Sequence, residues 1–208
     1  MIRRLRQSKP GQSLVVFSLI VTIVMMMLLG VLEFGFVFDH HLTLEYATRE
    51  AARVGSAMSN GGGTLGCGSG QSPNAATVDP QIIAAVQRVV KSPGSLVVES
   101  RIAEIRIYKV DLSSTTGDQD GSFVNVWTYN AGAGPVVDGV ALDFTLSGSN
   151  GWNACSRDNG SDPDSIGVSL VYNYKLVTPL GSAMALFGGG AAAQITIKDR
   201  TVMALNPS

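Results

Sequence analysis

Two histidines, two cysteines and two aspartate-bearing loops are the groups in this 208-residue sequence whose types and spacing invite a chemical reading. His40 and His41 are adjacent, and neighbours on a helix point about 100° apart, so they do not converge on one metal. They read as an interfacial polar pair. Asp118-Gln119-Asp120-Gly121 begins like a calcium loop but lacks the downstream bidentate glutamate. Asp158, Asp162 and Asp164 make a second acidic loop of similar quality; either could hold a surface calcium, and exposed turn chemistry is the favoured reading of both. Gly188-Gly189-Gly190 follows Phe187 without a strand-to-helix context, so it does not read as a phosphate cradle. There is no nucleophile elbow or paired cysteine–histidine set. The expectation is therefore no catalytic residues, no metal and no cofactor. A net charge of −1 likewise gives no reason to expect a nucleic-acid partner.

The element that organises the chain is at its start. Arg3, Arg4, Arg6 and Lys9 precede a run from Ser13 to Leu32 that has no charge at all. A bilayer core of about 30 Å needs about 20 apolar residues as a helix, and this run meets that length. Lipid cannot satisfy backbone N–H and C=O groups, which forces helix despite the Val and Ile content. Basic residues before the run, with Glu33 and Asp39 after it, place the N-terminus in the cytoplasm and the remainder outside. A secretory signal peptide has a shorter apolar region and a small-residue cleavage site. Here the run is too long and is followed by Glu33-Phe34-Gly35-Phe36-Val37-Phe38.

Helical character continues beyond the run, because Asp39 to Ala57 has no proline and Tyr46 to Val54 is built from strong helix formers. Glu45 and Arg49 are four residues apart, as are Arg49 and Arg53, giving one attractive and one repulsive pair. Gly55 and the glycines at 61–63 supply the stop. Ala47, Ala51 and Ala52 are small enough for another helix to approach closely, which makes them a candidate lateral-packing surface.

Gly11-Gln-Ser-Leu-Val-Val-Phe17, Leu28-Leu-Gly-Val-Leu-Glu-Phe-Gly35 and Ala47-Thr-Arg-Glu-Ala-Ala-Arg53 resemble the N-terminal region of TadE-like pseudopilins of the tight-adherence (Flp, type IVc) pilus system. A weaker likeness continues at Pro163 to Tyr172 and Thr178-Pro179-Leu180. The resemblance implies a minor pilin-like subunit or assembly factor, acting in pilus biogenesis or adhesion. It also implies cleavage by a prepilin peptidase between Gly11 and Gln12, and partnership with other pilin-like subunits and the Tad/Flp assembly machinery. Pilin-like chains usually carry a glutamate at the fifth mature position, which here is Val16. That departure suits a special position such as a pilus tip, or a membrane-resident assembly factor. Glu33 does not replace the missing glutamate, because it lies at the outer boundary of the run, within reach of the headgroups. A stand-alone, signal-anchored envelope protein with a ligand-binding outer domain is the alternative reading.

The remaining chain reads as an α+β domain. Residues 59–78 are rich in Gly, Ser and Asn and read as a connector. Asp79 as N-cap and Pro80 in the first turn start an amphipathic helix over Gln81 to Lys91. Alternation of Ala103, Ile105 and Ile107, and of Val168, Leu170, Tyr172, Tyr174 and Leu176, marks two strands. Shorter strands are expected at Phe123–Thr128, Val140–Leu146 and Gln194–Met203, together forming a mainly antiparallel sheet. The expected organisation is thus a leader at 1–11, a long helix at 12–58, a connector at 59–78 and an extracytoplasmic domain at 79–208. Cys67 and Cys155 both fall on the outside, where two cysteines favour a disulfide. Closing so long a loop contributes about 4–5 kcal/mol in the chain-entropy model.

Overall fold

A computed structural model describes residues 10–58, 75–158, 160, 162–179, 181 and 194–205. Two compact units emerge, Met1–Val37 with Lys175–Gln194, and Phe38–Tyr174 with Ile195–Ser208. The architecture is α+β: a long N-terminal apolar helix, then an antiparallel-sheet domain with one short helix.

Helix α1 runs unbroken over Pro10–Ala57. Pro10 suits a first helical position, since its missing N–H would have no intrahelical partner there. In the first unit α1 is apolar on every side, and every residue from Gly11 to Leu28 is exposed. A helix apolar all round and uncovered by protein has lipid as its natural solvent. α1 is the one helix, among the described residues, long and apolar enough to cross a membrane.

In the second unit the same helix is amphipathic. Leu44, Ala47, Thr48, Ala51, Ala52 and Gly55 are buried at spacings of three and four, while Leu42, Tyr46, Arg49 and Arg53 face outward. The reading of Ala47, Ala51 and Ala52 as a surface for a neighbouring helix is therefore corrected. Each has no solvent exposure, because the chain's own domain covers it. Small side chains do permit close approach here, but by the chain's own elements. A Cβ added at Gly55 would lie 2.7 Å from Ile166 Cδ1 and 2.9 Å from Ile82 Cδ1.

Helix α2 spans Val78–Val90, starting earlier than periodicity predicts, and buries Ile82, Ile83, Val86 and Val90. Asp79 is not its N-cap. The cap position is Thr77, with no side-chain capping bond, and Asp79 sits in the first turn.

The strands are β1 (Ile102–Val110), β2 (Gln119–Tyr129), β3 (Val136–Val137), β4 (Val140–Ala141), β5 (Phe144–Ser147), β6 (Ser165–Lys175) and β7 (Gln194–Ala204). Five form one sheet in the order β5-β2-β1-β6-β7, and β3 pairs with β4 as a small separate ribbon. Registers such as Ile105↔Trp127, Ile105↔Leu170 and Trp127↔Leu146 are antiparallel. Ile105 and Ile107 of β1 share the core face with Ile166, Val168, Leu170, Tyr172 and Tyr174 of β6.

Two details depart from simple alternation. A register shift between Ile102 and Glu104 turns Ile102 inward and leaves Ala103 exposed, the reverse of what alternation from Ala103 predicts. The single strand expected at Val140–Leu146 is broken. Leu142 N donates to Pro135 O, and Asp143 N to Gln87 Oε1, so the chain leaves one ladder before entering the next.

Candidate functional site

The apolar helix and the residues that hold the C-terminal end of its apolar run are the candidate site. Gly11 and Gln12 lie exposed in the first turn of α1, and nothing lies within 4 Å of where a Gly11 Cβ would be. Val16, one turn later, is 48% exposed and carries no charge into the span. The span's hydroxyls are satisfied internally: Ser18 Oγ donates to Val15 O at 3.1 Å, and Thr22 Oγ1 to Ser18 O at 2.8 Å. Neither of these two hydroxyls therefore confronts lipid unpaired.

Glu33 behaves differently from the sequence reading. It is 4% exposed and does not reach outward toward headgroups. Its Oε1 accepts from Val177 N at 3.0 Å and its Oε2 from Thr178 N at 2.9 Å. A carboxylate removed from water needs such donors, since burial without them costs several kcal/mol. The partners lie 144 and 145 residues away in sequence, so no local pattern signals them.

Within the second unit, α1 is keyed to the sheet by polar contacts. His40 is 4% exposed, with its ring edge-on to Tyr174 at 4.9 Å and tilted against Tyr172 at 5.6 Å. It is a packed core histidine, where the sequence suggests an interfacial one. Thr48 Oγ1 meets Asp199 Oδ2 and, at 3.0 Å, Thr201 Oγ1 on β7. Ser56 Oγ donates to Ala204 O at 2.6 Å. On the outward face Arg49 pairs with Glu45, and Arg53 with Glu50 at 2.7 Å, so each cation of the repulsive pair has its own carboxylate.

Sequence reasoning missed the most buried charge in the domain. The Arg157 side chain has no exposure, and its Nη2 donates to Asp79 Oδ1 at 2.6 Å and to Trp152 O at 3.2 Å. Its guanidinium carbon lies 4.5 Å from the Trp152 ring centroid, a cation–π distance. Asn125 Nδ2 donates to Asp79 Oδ2 at 2.6 Å, and its Oδ1 accepts from Trp152 N at 2.9 Å. The only sequence-level hint is a helix-start aspartate whose capping role is not needed.

The acidic loops are internally paired. Asp118 accepts from Ser114, Thr116 and Arg200, and these donors, Thr116 first, pull its carboxyl down to about 2. Asp164 pairs with Lys109 at 2.8 Å and accepts from Asp158 N. Among the described residues, no group of three or more His, Cys, Asp or Glu is placed to hold a metal ion. Cys155 lies in the short turn Ala154–Ser156, whereas Cys67, the glycines at 188–190 and most of the connector lie outside the described residues.

Comparison with known families decides the character of the helix. The family described as TadE-like protein matches residues 11–53. That stretch of the helix is similar to a TadE-like N-terminal region. The match begins at the exposed Gly11 and ends at Arg53, so it takes in the whole lipid-facing stretch, Glu33 and most of the turns that pack on the sheet. The apolar helix anchors the chain to the membrane in a single pass. No curated protein and no solved structure matches the chain.

Proposed function

We propose that this chain is a minor pilin-like subunit or assembly factor of a type IVc (Flp) pilus, anchored by α1 and serving pilus biogenesis or adhesion. The observation that carries the reading is the TadE-like match starting at Gly11, on a helix whose residues Gly11 and Gln12 are exposed. An exposed helix start suits a substrate: helix ends fray, and a protease needs extended backbone. On this reading a membrane prepilin peptidase cuts between Gly11 and Gln12. The leader stays in the cytoplasm, and the sheet domain stands on the outer side with other pilin-like subunits as neighbours.

Val16 bears on the role. A major subunit uses a carboxylate near its new N-terminus to meet a neighbour's amine, and a charge in lipid is stable only when paired. Valine there removes the demand and the pairing together, which favours a tip position or a membrane-resident role. Glu33 does not offer itself as a substitute, since backbone donors of the same chain already hold it.

N-terminal sequencing of the protein purified from membranes tests the proposal. A mature chain starting at Gln12 is expected, and Gly11→Leu is expected to leave Met1 in place. A wild-type chain that keeps Met1, or is cut beyond Leu32, refutes the pilin route and leaves an ordinary anchored envelope protein. We further propose a Cys67–Cys155 disulfide on the outer side. It predicts no free thiols in the oxidised protein, read by mass shift with and without reductant.

A further inference from the structure

The Glu33 contact puts a second apolar surface beside the membrane helix. The uncharged run ends at Leu32, and at about 1.5 Å per residue it spans a hydrocarbon core of about 30 Å, which sets Glu33 at the outer edge. Backbone held by the Glu33 carboxylate must lie at the same depth. Val177 N and Thr178 N are so held, at 3.0 and 2.9 Å, immediately after β6 ends at Lys175. The side chains held at this level are exposed: Val177 is 65% exposed, and Pro179 is exposed as well. Apolar surface in that position is continuous with the lipid-facing side of α1. The sequence agrees, because no charged residue occurs from Leu176 to Ile197 and lysines bound the stretch at 175 and 198.

We propose that the strand end Val177–Pro179 is a second membrane contact, seated in the outer headgroup–acyl boundary beside α1. Its partner is the phospholipid surface itself. Val177 and Pro179 enter the boundary, and the exposed Lys175 stands at headgroup level, where a cation is favoured by lipid phosphate. Glu33 is the positioning residue, because its carboxylate fixes the depth of the two backbone amides. The inference rests on α1 standing in a bilayer and on no pilus role.

Tryptophan placement in the full-length chain, reconstituted in phosphatidylcholine vesicles, tests it. The native Trp127 and Trp152 are 4% and 1% exposed and supply a constant background. Val177→Trp is expected to add blue-shifted emission that is lost when brominated phosphatidylcholine replaces the ordinary lipid. Leu28→Trp, inside the span, should be quenched too, and Leu112→Trp, 68% exposed in the loop after β1, should not. Quenching at Leu28→Trp without quenching at Val177→Trp overturns the second contact and leaves the anchor intact. Blue-shifted but unquenched emission at Val177→Trp also overturns it, since that side chain would then sit on protein. Absence of quenching at both positions overturns the anchor and the contact together.

Discussion

The Arg157 side chain has no contact with solvent, and two of its nitrogens, Nε and Nη1, make no hydrogen bond among the described residues. The ion pair with Asp79 is thus an all-or-nothing arrangement: either partner alone is an uncompensated buried charge. Arg157→Ala is expected to destabilise the fold by about 3–5 kcal/mol, while Asp79→Leu with Arg157→Met should recover most of that loss. Urea unfolding of the two variants checks this; equal losses would show that the pair adds net stability. Asp118 supplies a pH-dependent counterpart at the surface. Its carboxyl falls from an ordinary 3.8 to about 2, so its contribution is complete above 3.8 and fades as the pH drops toward 2. Asp118→Asn should flatten the acid side of the stability profile in that window, measured by thermal melts across pH. At this scale the sequence was least legible. Glu33, His40 and Asp79 all have partners more than 40 residues distant, and no spacing rule reaches that far.

Among the elements, most strands and α2 could be read from periodicity, because alternation and the 3.6-residue repeat report directly which face is buried, while α1 was legible from its uncharged apolar run. Ile105, Ile107, Val168, Leu170 and Tyr172 lie in the core as their pattern demands. The misreadings fall where tertiary contacts override the period: at the shift beside Ala103, at the break after Ala141, and on the alanine face of α1. The last has a measurable consequence at Gly55, where α1 meets Ile82 and Ile166. Gly55→Leu should cost about 1–3 kcal/mol through overpacking, and Gly55→Ala less, because the atoms it meets are flexible isoleucine ends. Gly167 is the stricter case. A Cβ there would lie 2.3 Å from Tyr108 Cζ, and a ring cannot bend aside as an aliphatic tip can. Gly167→Ala should therefore exceed Gly55→Ala in cost and break the Tyr108 Oη to Gly117 O bond of 3.1 Å, read by unfolding and by the tyrosine near-UV signal.

For the molecule as a whole, one helix serves two solvents, with lipid around its first half and the chain's own sheet over one face of its second. The family match covers that helix and stops before the domain, so the anchor could be named from sequence while the domain had to be seen. Reduction of the proposed Cys67–Cys155 bridge should lower the domain's stability by about 4–5 kcal/mol if loop entropy dominates, seen as a shift in urea midpoint with dithiothreitol. A final consequence concerns time. Besides Ile82 of α2 at Gly55, the contacts that cover α1 and hold Glu33 include β6, the strand end after it, and β7, with sequence separations of 144 for Glu33–Val177, 148 for Ser56–Ala204 and 151 for Thr48–Asp199. A ribosome making this chain delivers α1 long before β6 and β7. Until those strands emerge, the buried face of α1 lacks the elements that complete its cover, and the Val177 and Thr178 amides that hold Glu33 do not yet exist. The nascent protein is therefore most vulnerable to a wrong partner in the interval before β7 emerges, and the order of its elements makes folding dependent on whatever shields that face until then.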